Sequence, residues 1–232
     1  MRNNMTSGIS VIIPVFNSER FVAEAIDSVV NQTFKPNQIF LVDDGSTDGS
    51  ATIMKSYPEA IYHYKENGGA CSALNVGLKQ VTGKFIAFLD SDDYWELDKL
   101  GLQMQFLSDN PQYDGVFGNH KRFYEKPQSE ITDGELVDSK KVLPARFKGS
   151  LLIKKDSFFK VGLFDETIKM GDFLDWYRRA MDIGIQFGML NKIVLQRRIH
   201  DANTSLKDKG EIKDYVKLLK ASMDRRRKAG NL

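Results

Sequence analysis

Phe85-Ile86-Ala87-Phe88-Leu89-Asp90-Ser91-Asp92-Asp93 reads as a short buried strand that delivers a cluster of carboxylates at its exit. Alternate residues of an extended segment point the same way, so Asp90 and Asp92 can aim at one point. Two carboxylates about 4 Å apart repel by roughly 4 kcal/mol at an effective dielectric near 20. A divalent cation turns that repulsion into attraction. Hard oxygen donors suit Mg²⁺ or Mn²⁺, which keep positions open for phosphate oxygens. The bland reading is a turn capped by aspartates, which are common there.

Upstream, apolar runs alternate with helical patterns. Ile9–Val15 is short and β-branched and reads as a buried strand. A helix follows, with Ser18 as its expected cap and Val22, Ala25, Ile26, Val29 and Val30 at helical spacing. Gln38–Val42 and Ile61–Tyr64 read as further strands. Between them Asp43-Asp44-Gly45-Ser46-Thr47-Asp48-Gly49 is a turn, with Ser46 or Thr47 expected to cap the next helix. Ala70–Gln80 reads as a helix stopped by Thr82-Gly83. This alternation predicts an α/β domain with a mostly parallel, Rossmann-like sheet and helices on both faces. Such sheets bind ligands beyond the carboxyl ends of their strands. Phe16-Asn17, Asp43-Asp44 and Asp90–Asp93 all stand at such ends.

Beyond residue 114 the rhythm loosens. Pro127–Asp138 is polar and reads as a loop or flap, and Phe147–Ile153 as a strand. Asp156–Val161 reads as a short helix ended by Gly162, and Phe173–Ile183 as a longer helix before Gly184. The organisation expected is a nucleotide-binding half over 1–113, an acceptor-side half over 114–205, and a basic amphipathic helix over 206–232.

Composition narrows the class. The 232 residues are 41% apolar, enough for a real core. With 33 basic and 31 acidic residues the net charge is +2, which gives no argument for nucleic-acid binding. The single cysteine, Cys71, forms no intrachain disulfide and reads as a small buried residue. No stretch approaches the ~20 apolar residues that span a bilayer. The expectation is a cytoplasmic protein. Its tail, with seven basic and three acidic residues between Glu211 and Lys228, either docks on the domain or touches anionic lipid headgroups or a partner.

In chain order these segments resemble the family 2 glycosyltransferases, inverting enzymes of GT-A fold, over roughly residues 9–200. Ser10–Asn17 looks like the opening strand and nucleotide-contacting turn, with Pro14, Phe16 and Asn17 at the nucleotide. Leu41–Asp48 resembles the motif whose acidic residues, here Asp43 and Asp44, hold uracil. Asn67-Gly68-Gly69-Ala70 with Asn75 looks like the helix start near the nucleotide. Phe88–Asp93 is similar to the metal-binding D-x-D motif: Asp92 and Asp90 as metal ligands, Asp90 and Ser91 also at the nucleotide. Gly162–Glu166 resembles the loop before the acceptor-side helix. A histidine near the metal or diphosphate implies a ligand role for His200, and Arg197 or Arg198 can meet phosphate.

The resemblance implies transfer of a sugar from a nucleotide-diphosphate donor, UDP favoured, with Mn²⁺ or Mg²⁺. The acceptor hydroxyl belongs to a glycan, a lipid-linked carrier, a peptide or a small molecule. Two departures stand out. At the family's Glu-Asp this chain has Asp172-Phe173, so the base falls to Asp172 or Asp175, one helical turn apart. Leu74 stands where many members carry Arg. No Gln-x-x-Arg-Trp signature is present, which disfavours processive polysaccharide synthases. An inactive nucleotide-sugar-binding module is kept open by Phe173. A nucleotidyltransferase is disfavoured by Pro14–Asn17, where those enzymes carry a Gly-rich basic loop.

Overall fold

The structure is a computed structural model and describes residues 8–168 and 171–201. Its N-terminal part follows the alternation of the sequence: β1 (Ile9–Val15), α1 (Val22–Val30), β2 (Gln38–Asp43), α2 (Ser50–Lys55), β3 (Ile61–Tyr64), α3 (Ala70–Leu78) and β4 (Phe85–Phe88). Strands β3, β2, β1 and β4 lie side by side and parallel, with Ile12 between Phe40 and Phe88. All seven residues of β1 are buried, as expected where helices cover both faces. Helix α1 turns Val22, Ala25, Ile26 and Val29 inward at i, i+3, i+4 and i+7. Gly77 lets α3 lie directly on β1, since a Cβ there would sit 2.7 Å from Ile12 Cγ2.

Both expected helix caps differ from the structure. Ser18 lies four residues before α1. Its carbonyl accepts from the Phe21 and Val22 amides, while its hydroxyl meets Ser91 Oγ at 2.7 Å. Neither Ser46 nor Thr47 caps α2; Asp48 Oδ1 accepts the Ser50 amide at 2.9 Å instead.

The second part runs β5 (Tyr94–Trp95), α4 (Lys99–Asp109), β6 (Gly115–Tyr124), α5 (Asp133–Ser139), β7 (Leu143–Pro144), β8 (Leu152–Lys154), α6 (Lys155–Val161), α7 (Asp172–Asp182) and β9 (Phe187–Ile199). Where the sequence rhythm loosens, the structure holds its longest pairing. β6 and β9 run parallel from Gly115↔Phe187 to Tyr124↔Ile199, across a bulge near Asn119. Four polar or basic residues, Asn119 to Arg122, interrupt β6 and hide it from a hydrophobicity pattern.

The expected loop at 127–138 contains α5. Thr132 and Glu135 form a reciprocal capping box, Thr132 N to Glu135 Oε2 at 2.9 Å and Glu135 N to Thr132 Oγ1 at 3.3 Å. The expected strand at 147–153 is a tight helical turn at Lys148–Ser150 followed by β8. Antiparallel β8 sits between β4 and β6, so one nine-stranded sheet, β3-β2-β1-β4-β8-β6-β9-β5 with β7 beside β6, joins the two halves. The tail over 206–232 lies outside the described residues.

The sheet separates two apolar layers. Ile9, Val11, Ile13 and Val15 face one; Ile12, Phe88, Phe117 and Trp176 face the other. The second layer is aromatic, with the Phe158 and Trp176 rings stacked at 4.6 Å.

Candidate active site

The polar clusters meet beyond the carboxyl ends of β1, β2 and β4. At the end of β1, Pro14 pairs with Val42 inside the sheet, and Phe16 is half exposed. Asn17 adopts a left-handed backbone, φ 47°, which asparagine tolerates better than most residues. Its Oδ1 accepts the Thr47 amide at 2.8 Å, and its own amide donates to Ser46 Oγ at 3.1 Å. Two strand-end loops are thereby tied together.

Asp43 has no exposed surface. Its carboxylate accepts Tyr62 Oη at 2.7 Å and the Ser46 amide at 2.8 Å. Burial first, and Asp43 second, push the Tyr62 phenol up to about 12. Asp44 accepts Lys65 Nζ at 2.6 Å and the Gly68 and Gly69 amides at 2.9 and 2.7 Å, while Asn67 Nδ2 donates to its carbonyl. A carboxylate at the amides that open α3 is where an anion is favoured. Both aspartates, read from sequence as uracil contacts, hold the loops in place. Asn75 ties α3 to the 164–166 loop: its Nδ2 donates to Phe164 O and Glu166 Oε1, and its Oδ1 accepts the Phe164 amide.

The four residues after Leu89 take separate partners. Asp90 Oδ1 lies 3.0 Å from Lys148 Nζ. Ser91 bonds Ser18. Asp92 Oδ2 lies 3.1 Å from His200 Nε2, with the His200 ring tilted against Phe21 at 4.6 Å. Buried Asp93 accepts the Arg198 amide at 2.9 Å. Its carboxyl is pushed well up by burial, then by Asp92 and Asp90. Asp90 and Asp92, expected to share one cation, are therefore drawn to different groups.

Of the two arginines read as able to meet phosphate, Arg197 or Arg198, the structure encloses Arg198. Its guanidinium bonds Glu24, Glu125 and the Asp92 carbonyl, and lies between the Phe21 and Phe123 rings at 4.7 and 4.6 Å. Arg197 lies over Phe147 at 5.0 Å and borders the cleft.

That cleft, ≈140 Å³, is walled by Asp90, Asp93, Phe147, Lys148, Asp172 and Arg197. Asp172 opens α7 directly after Gly171, whose φ of 80° makes the sharp entry. Burial works against its charge, but Lys148 and backbone amides outweigh burial and hold the carboxyl below its ordinary value. Lys148 Nζ stands 3.5 Å from Asp172 Oδ2. Burial opposes its charge too, and Asp172 and Asp90 more than compensate, so the ammonium is raised.

The structure separates the two candidate bases. Asp175 is buried and bonded to Arg179 Nε at 2.8 Å, and that guanidinium also donates to the Val161 and Leu163 carbonyls. Phe173 is buried against Phe117 and Trp176. Asp172 alone of the three brings a carboxylate to the cleft. The sequence reading missed Lys148, a lone cation in the apolar run 147–153 whose partners are 58 and 24 residues away.

Asp92 offers a carboxylate oxygen, the donor that suits Mn²⁺ or Mg²⁺, and His200 an imidazole, a donor for transition-metal ions. Among the described residues no group of three or more His, Cys, Asp or Glu side chains gathers as a metal cage. An ion bound by few side chains and completed by phosphate oxygens is the usual arrangement for Mg²⁺ with nucleotides.

The model of glycosyl transferase family 2 matches residues 10–164, from β1 to the loop before α7. This chain belongs to glycosyl transferase family 2. The glycosyltransferase is 33% identical, over 230 residues, to an uncharacterized glycosyltransferase of Rickettsia typhi, covering 94% of this chain and 72% of that protein. It is 29% identical to the minor teichoic acid biosynthesis protein GgaB of Bacillus subtilis, covering 84% of this chain and 23% of that protein. Among solved structures it is similar to TarS residues 1–349 of S. aureus in complex with UDP-GlcNAc. The TM-score is 0.76 at 22% identity, covering 94% of this chain and 66% of that one. That likeness establishes the GT-A fold. Among the described residues of the glycosyltransferase, no helix is long and apolar enough to cross a membrane.

Proposed function

We propose that this glycosyltransferase moves a sugar from a UDP-sugar to an acceptor hydroxyl with inversion at the anomeric carbon. One observation carries the reading: Asp90, from the acidic cluster after β4, and the Asp172 carboxylate border one strand-end cleft, 3.0 and 3.5 Å from the same Lys148 ammonium. The UDP-GlcNAc complex of TarS supports a UDP donor. Similarity to GgaB favours an acceptor in glycopolymer synthesis, whether glycan or lipid-linked, over a peptide or small molecule.

The half-exposed Phe16 ring and the Asn17 turn form the face for the base, backed by Asp43, Asp44 and Asn67. Asp90, Ser91 and Arg197 border the diphosphate end. Mn²⁺ or Mg²⁺ held by Asp92 and His200 would neutralise charge on the leaving diphosphate. Asp172 accepts the acceptor's proton as its oxygen bonds the anomeric carbon. The bond from that carbon to the phosphate oxygen breaks, and UDP departs with the electron pair. A carboxylate held ionised is ready for that proton at neutral pH. Asp172 thus fills the need left by Phe173, which disfavours the inactive-module reading.

The test has two arms. Calorimetry with UDP, with and without Mn²⁺, should show uptake that depends on the ion, and Asp92→Asn should remove that dependence without lowering the melting temperature. Release of UDP from UDP-GlcNAc, UDP-glucose and UDP-galactose should fall at least 100-fold in Asp172→Asn. UDP binding indifferent to the ion in the wild-type protein, or an active Asp172→Asn, would refute the respective assignment.

A further inference from the structure

We propose that Lys148 is a positioning residue that bridges the donor-side aspartate Asp90 and the acceptor-side aspartate Asp172 and holds the two walls of the cleft in register. The proposal deepens the functional reading above, in which Asp172 takes the acceptor proton.

Lys148 Nζ lies 3.0 Å from Asp90 Oδ1 and 3.5 Å from Asp172 Oδ2. Its side chain is only 11% exposed, whereas those of Asp90 and Asp172 are 41% and 21% exposed. The cation is thus the shielded centre of the triad, and both carboxylates turn part of their surface to the cleft. Asp90 follows β4, and Asp172 opens α7, which packs on the aromatic layer. The Lys148 ammonium is the common neighbour of Asp90 and Asp172.

The backbone that carries Lys148 is itself fixed from behind. Three consecutive carbonyls receive donors from one region: Trp95 Nε1 to Gly149 O at 2.8 Å, Gln103 Nε2 to Ser150 O at 2.7 Å, and Lys99 Nζ to Leu151 O at 3.5 Å. Ser150 Oγ closes the turn by donating to Ala145 O at 2.7 Å. A long flexible side chain gains directional value when its Cα cannot move and its head has two acceptors. A solvated surface lysine would need none of this. Lys148 has a fixed root, a dry stem and two carboxylates at set distances, so it aligns Asp172 relative to the donor edge. Small displacements of a reacting group are costly in rate even when the fold is unchanged.

The experiment compares Lys148→Met, Lys148→Arg, Asp172→Asn and the double variant Lys148→Met/Asp172→Asn. The readout is UDP released from UDP-GlcNAc, UDP-glucose and UDP-galactose, with the melting temperature of each protein recorded. Lys148→Met should lose at least 30-fold in kcat while KM for the sugar nucleotide stays within threefold, and Lys148→Arg should recover most of the loss. In the Asp172→Asn background, adding Lys148→Met should cost less than threefold, because both changes remove one unit. Full kcat in Lys148→Met, or losses that multiply independently, would overturn the bridge while leaving Asp172 as base. An active Asp172→Asn would instead overturn the reading on which the bridge rests. If Lys148→Met does not fold, Lys148→Arg decides: kcat near wild type with KM within threefold supports the bridge, and a raised KM with unchanged kcat, or a lost kcat, overturns it.

Discussion

Lys99 brings its amine into the interior, where it meets the Gln103 amide oxygen at 2.6 Å, the Leu151 carbonyl at 3.5 Å, and the Trp95 ring at 4.2 Å from its centroid. None of these is a carboxylate, and burial drives its pKa well below the ordinary lysine value. The unfolded chain holds the proton up to about pH 10.4, whereas burial makes the folded amine release it at a lower pH. Between the two values the unfolded state binds more protons, so this group makes stability rise with pH, by about 1.4 kcal/mol per unit. Lys99→Met removes that slope. The melting temperature of Lys99→Met relative to wild type should therefore be more favourable at pH 6.5 than at pH 9.5. An equal difference at both pH values would show that Lys99 is charged in the fold. From sequence, Lys99 looks like any helix lysine beside Leu100, and only its neighbours in the fold bury its amine away from any carboxylate.

At the scale of the element, α7 assigns different work to two aspartates three residues apart. One turn of helix puts Asp172 and Asp175 near one face, which is why the sequence kept both as candidates and leaned to Asp172 only on its place in the motif. The turn before α7 and the position of α6 decide. Asp172 sits at the first helical residue and borders the cleft, whereas Asp175 lies beneath it, bonded to Arg179. Arg179 in turn holds the carbonyls that end α6 and lead into the 162–166 loop. Asp175→Asn should cost roughly 2 kcal/mol of stability, the order for loss of a charge-assisted hydrogen bond in a largely buried site. Rate per folded molecule should stay within threefold of wild type. Urea unfolding with UDP-release assays checks both, in contrast to Asp172→Asn, which should lose rate and little stability. The capping box at Thr132 and Glu135 was legible in principle, since Thr-x-x-Glu is a helix-start signature. The polar composition of 127–138 masked it.

Across the whole molecule, Arg198 joins parts that the sequence keeps far apart. From β9 it reaches Glu24 on α1, Glu125 after β6, and the Asp92 carbonyl beyond β4. The strand that brings this arginine also brings His200 to Asp92. Removing the guanidinium should weaken both the fold and the site. Glu24 is half exposed and regains water, which reduces the usual cost of breaking a buried pair. Arg198→Met should therefore cost about 2 kcal/mol by urea unfolding and should also weaken Mn²⁺-dependent UDP binding in calorimetry. Loss of stability with unchanged UDP binding would separate the clasp from the site.

The N-terminal half was legible because its strands are short β-branched or aromatic runs and its connections are local βα units. The run Phe85–Asp93 alone set a buried strand with acids at its exit, and the ordered motifs set the family. The C-terminal half was less legible. β6 is interrupted by polar residues, and its partner β9 is more than 60 residues away. Sequence determined which residue types stand at the strand ends, because the periodicity of burial is written locally. Only the tertiary structure decided that Asp90 meets Lys148 and Asp92 meets His200, that Arg198 is enclosed, and that Asp172 rather than Asp175 faces the cleft. Those pairings depend on where separate elements pack, and no local pattern carries that information.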